Sequence, residues 1–116
     1  MPEREPTAAE HEFFEVLAGQ IADLQDWYQI DADGRPWMMV SYDDVHDHAI
    51  RATWRLDFDG ERLLGGLSPA FLNWDAETRA AVAGVDTAAP DGIEADVTSP
   101  REAALIAADW FRQRII

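Results

Sequence analysis

Residues 43 to 48, Asp-Asp-Val-His-Asp-His, place three carboxylates and two imidazoles in six consecutive positions. Two histidines at i and i+2 on a strand share a face, and Asp44 adds an oxygen donor, so divalent-metal binding is the first chemistry to weigh. A catalytic metal needs a third protein ligand and an open coordination position. The one other histidine is His11, and its neighbours Glu12 and Glu15 lack the second histidine of a helical zinc motif. Asp and His are equally ordinary where a chain reverses before a hairpin strand. The stretch therefore reads as a corner, with Asp44, His46 and His48 its weak metal candidates, and no metal or cofactor is expected.

Other chemistries lack their local context. Asp31-Ala32-Asp33-Gly34 has the start of a calcium loop, but the twelfth position, where a bidentate glutamate belongs, is Tyr42. It reads as a turn. Ser41, Ser68 and Ser99 are not framed as Gly-x-Ser-x-Gly, and Gly65-Gly66 is followed by no phosphate-loop lysine. Acids are so common that any chosen carboxylate pair is uninformative. No catalytic residue is assigned, although active sites are often assembled without a local motif.

Two groups point instead to binding. Arg51 and Arg55 share a strand face, with Arg62 across a hairpin, and could grip a carboxylate or phosphate bidentately. Their ordinary use is pairing with Asp57 or Glu61 on a solvated face. Trp37 and Met39 lie on the strand face opposite Met38, Val40 and Tyr42. Two helices cover one side of a sheet, so this second side needs the Phe71–Trp74 segment, another copy of the chain, or a protein partner over it. Trp37, Met39, Arg51 and Arg55 are the expected partner-binding residues.

The elements that must hold these residues follow from period and punctuation. Residues 1–6 read as a frayed tail and 7–116 as one domain. Thr7 and Glu10 make a capping box, and Phe13, Leu17, Ile21 and Leu24 extend a helix over 8–25. Trp27–Ile30 reads as a strand, and Pro36–Tyr42 as one apolar on both faces. His48–Phe58 alternates, Asp59-Gly60 signals a two-residue hairpin, and Glu61–Leu67 returns. Asp75 to Val82 reads as a short helix ended by Gly84, and Ile93–Val97 as an edge strand. Ser99-Pro100-Arg101-Glu102 then starts a helix whose buried stripe is Ala103, Ile106, Ala107, Trp110 and Phe111. The order predicts an α+β domain: a mainly antiparallel sheet of four or five strands with the N- and C-terminal helices on one face.

Charge narrows the partners. Twenty-three acids face nine bases, all arginine, for a net −14 over 116 residues. Such a surface repels nucleic-acid phosphates and anionic membranes and attracts basic proteins. There is no cysteine, which excludes disulfides and thiol chemistry. No apolar run of membrane-spanning length and no signal-like N-terminus is present, so the cytoplasm is the expected compartment. In size, acidity and element order the chain resembles immunity proteins that neutralise toxins and dimeric secretion chaperones; the resemblance has no motif and transfers no residue roles. The expected function is a non-catalytic acidic module that binds a basic protein, as a monomer or homodimer. A small enzyme or ligand-binding domain with a pocket between helices and sheet is the alternative, and a DNA mimic the third reading.

Overall fold

Thr7 and Glu10 begin the structure with a reciprocal cap. The Glu10 amide donates to Thr7 Oγ1 at 3.1 Å, and the Thr7 amide donates to Glu10 Oε1 at 2.9 Å. Two of the donors that every helix start leaves unsatisfied are thereby used. The computed structural model describes residues 5–68, 85 and 87–115, with His46 described by its backbone alone. In chain order the elements are α1 (Ala8–Ala18), β1 (Gln25–Ile30), β2 (Pro36–His46), β3 (Ala49–Phe58), β4 (Arg62–Leu67), β5 (Ile93–Asp96) and α2 (Pro100–Ile115). The helix expected over 75–82 and the Phe71–Trp74 segment lie outside the described residues.

Each strand pairs antiparallel with its neighbour, in the order β1-β2-β3-β4-β5. The fold is thus the expected α+β domain, a five-stranded sheet with both described helices on one face. That face carries Met38, Val40, Leu56, Phe58 and Leu63, all fully buried in one cluster with Phe13, Leu17 and Phe111. Phe13 stacks on Phe58 with ring centroids 4.4 Å apart, which fixes α1 on the sheet. On α2 the buried stripe is wider than its large residues suggest. Ala103, Ala104, Ala107 and Ala108 are all buried, and such small side chains allow a neighbouring helix to approach closely.

Several boundaries differ from the sequence reading by one or more residues, and three of the differences have a local reason. The first helix stops at Ala18 and not at residue 25, because Gly19 caps it and Asp23 then takes φ 65°. Ile21 is buried and Leu24 half-buried, so the apolar spacing continues through a turn. The second strand runs four residues past Tyr42, with a register shift at Asp44/Val45. The following hairpin closes with the Asp59 amide donating to the Arg62 carbonyl at 3.4 Å, one residue later than an Asp59-Gly60 turn would place it. Asp59 Oδ1 accepts from the Glu61 and Arg62 amides, and Gly60 supplies φ 97°. Among the described residues no helix is long and apolar enough to cross a membrane.

Candidate functional site

The 43–48 stretch is the end of a strand and a tight turn. Asp43 to His46 belong to β2, and Asp47 and His48 reverse the chain into β3. Both turn residues have positive φ, 53° and 65°, which is the primed turn that matches the twist of flanking strands. The shared-face argument for His46 and His48 therefore fails, since His48 is not two residues along the same strand. Asp44 accepts from Arg51 Nη2 at 3.1 Å, and Asp43 accepts from Thr53 Oγ1 at 2.7 Å. Among the described residues no three His, Asp or Glu side chains come together as a metal-binding group.

The sheet face turned away from the helices holds the other candidates. Pairing register lays Trp27, Met39, Asp57 and Leu64 in one row across β1 to β4, and Gln25, Ser41, Arg55 and Gly66 in the next. Arg55 is 2% exposed, and its guanidinium grips Asp57 twice, Nε to Oδ1 at 2.9 Å and Nη2 to Oδ2 at 3.0 Å. Trp37 lies over it, with the ring centroid 5.9 Å from Arg55 Cζ. Burial pushes the Asp57 carboxyl above its ordinary value; the hydrogen bonds and the charge of Arg55 pull the other way without cancelling that rise.

This arrangement corrects the expected interface. Met39 and Arg55 are buried within the chain itself, so a partner does not reach them. Met39 is bracketed by Trp27 on β1 and Asp57 on β3, with Trp37 and Ser41 two residues away along its own strand. Met39 therefore adds no exposed apolar area to that of Trp37 on this face. Trp37 is half-buried and Arg51 exposed. All three arginines weighed for anion binding are engaged by acids: Arg51 by Asp44, Arg55 by Asp57, and Arg62 by Glu94 at 3.0 Å and Asp96 at 3.4 Å. Asp57, one of the two acids expected to pair with these arginines, does hold Arg55, but from two residues along the same strand and on a buried stretch of the face, not across strands on a solvated one.

Two clefts bear on ligand binding. One of about 320 Å³ opens on this second face, walled by Trp37, Leu64, Arg35, Arg62 and Asp57. Its carboxylates already have work: Asp31 Oδ1 accepts from the Asp33 and Arg35 amides, Asp59 closes its hairpin, and Asp57 holds Arg55. The other, about 310 Å³, lies where the end of α1 meets Tyr42 and Arg112, between helices and sheet. Among the described residues that line them, neither brings an activated nucleophile or an acid–base pair into line with a reacting position. No protein-family model, no curated protein and no solved structure matches this chain.

Proposed function

We propose that the chain is a non-catalytic, cytoplasmic module that binds a basic protein. The observation that carries this reading is an asymmetry in how charge is displayed. The three arginines weighed for gripping an anion are each already paired with acids, Arg55 with Asp57 inside the fold and Arg51 and Arg62 with Asp44, Glu94 and Asp96 at the surface. Carboxylates on every side remain exposed, among them Glu12, Glu15, Asp33, Glu61 and Asp109. Over the whole chain the formal net charge is −14. A field of this sign speeds encounter with cations and resists phosphate backbones. Trp37 and Arg51, which keep accessible surface, stay as proposed contacts, while like charge opposes a homodimer.

Affinity capture on the immobilised chain tests this directly. Recovered proteins should be enriched in positive net charge over the lysate, and raised salt should release them. Recovery of neutral or acidic proteins with no salt dependence overturns the reading. A DNA-binding protein among the basic set would identify the chain as a DNA mimic. The small-ligand alternative has weaker support, because the carboxylates of the Trp37 cleft already hold turns and an arginine.

A further inference from the structure

The outermost strand, β5, is built unlike a sealed edge. The Val97 amide donates to the Glu61 carbonyl at 2.9 Å, and Ala95 and Ile93 stand opposite Leu63 and Gly65. Alternation along an antiparallel ladder turns the N–H and C=O of Ile93 and Ala95 toward β4, and those of Glu94 and Asp96 outward. Among the described residues no backbone hydrogen bond reaches these outward groups. The side chains of Glu94 and Asp96 are 54% and 91% exposed; among the described residues Arg62 is the one cation they share, and Glu94 also accepts from Thr87 Oγ1 at 3.5 Å. The edge therefore stays net negative.

On the helix side, the same edge borders an apolar groove. Ile93 lines it with Leu105, Ile106 and Trp110, and Asp109 adds a carboxylate. Leu105 is 45% exposed although it is a large apolar side chain. The groove has a volume of about 420 Å³.

We infer that this edge and groove accept an extended basic peptide segment of another protein as a sixth strand. Its main chain pairs with Glu94 and Asp96. Alternate residues carry cations to those two carboxylates, and the intervening apolar residues enter the groove between Ile93 and Leu105. A second copy fits poorly, because it would set its own Glu94 and Asp96 against these and add another −14. The inference rests on the basic-partner reading and gives that partner a conformation and a place.

Three capped, fluorescent octapeptides binding to the full chain at low salt decide it: alternating Arg–Val, alternating Arg–Gly, and alternating Glu–Val. Arg–Val should bind about tenfold more tightly than Arg–Gly, and Glu–Val should not bind. Asp96→Ala should weaken both arginine peptides alike. Asp96→Pro removes an outward donor and spares the β4 ladder, as proline does on an edge strand. It should cost Arg–Val about a further tenfold and leave Arg–Gly as in Asp96→Ala. Should Asp96→Pro not fold, hydrogen exchange on the unsubstituted chain decides, since Arg–Val must protect the Glu94 and Asp96 amides. Equal binding of Arg–Val and Arg–Gly, or protection elsewhere, overturns the edge site and leaves the basic-partner reading standing. Failure of every arginine peptide to bind overturns both.

Discussion

Arg55 and Asp57, two residues apart on one strand, form a doubly hydrogen-bonded ion pair on the sheet face that no described helix covers. Alternation puts both side chains on one face, so the pair is local in sequence. Removing one partner leaves a buried charge without compensation. Arg55→Met or Asp57→Leu alone should cost about 3–5 kcal/mol, while the double substitution should recover most of that loss. Urea denaturation of the four proteins checks it. An additive double mutant would show that the two groups do not act as a unit.

The raised pKa of Asp57 fixes a direction for pH dependence. Its folded value lies above its unfolded value, with burial the larger cause and Arg55 opposing. The folded chain therefore holds this proton more tightly than the unfolded chain. Its contribution to stability is greatest below the unfolded value and is lost as pH rises through the folded one. Lowering the pH should thus raise this group's contribution to stability, and Asp57→Asn should remove that part of the slope. Denaturation midpoints across a pH series, read as the difference between the two proteins, isolate this group from the other acids.

Trp110 joins α2 to the sheet and to the loop before β5. It is 5% exposed, its Nε1 donates to the Asp91 carbonyl at 3.0 Å, and its ring meets Trp54 edge-on. Trp110→Ala should cost about 3–5 kcal/mol. Gly65 beneath it leaves no room for a methyl group: an added Cβ would lie 2.9 Å from Ile93 Cγ2 and 3.3 Å from both Trp110 Cη2 and the Arg55 carbonyl oxygen. Gly65→Ala should therefore cost about 1–3 kcal/mol by overpacking. Thermal or urea unfolding reads both.

The turn at Asp47 and His48 gives a prediction that separates folding from chemistry. Both residues occupy the left-handed region, which costs a non-glycine residue roughly 1–2 kcal/mol. The double change Asp47→Asn, His48→Gly supplies the preferred primed-turn sequence and should raise stability by about 1 kcal/mol. Calorimetric zinc titration should show no stoichiometric tight site in either protein. A submicromolar site abolished by His48→Gly would make the turn a ligand and not a corner.

What could be read from residue types followed how local its cause was. Both helix caps were legible because each uses residues within four positions, although Glu102 reaches past Ser99 to the Thr98 amide, at 2.8 Å. The alternation over His48–Phe58 was legible as a strand and puts Leu56 and Phe58 in the core, but Thr53 and Arg55 of the opposite row are buried as well. The length of α1 was not legible, since Ile21 and Leu24 keep helical spacing after Gly19 has already ended the helix. Nor was the burial of Arg55, because an arginine between Trp54 and Leu56 looks the same in sequence whether its face is wet or dry. The cleft beside Trp37 draws on three separate strands and the two turns that join β1 to β2 and β3 to β4, and no short window contains it.

The helix layer is shared between segments that are made far apart in time. Arg112 on α2 reaches Gln20, just after α1, across 92 positions. During synthesis the first four strands can pair hairpin by hairpin as they emerge, since each lies beside its sequence neighbour. Their Met38–Val40–Leu56–Phe58 face stays without α2 until residues 100–115 have left the ribosome. Among the described residues, a nascent chain stalled before that point covers this apolar face with α1 but not α2, and transiently exposed apolar surface of this kind is what makes partly folded chains prone to aggregate.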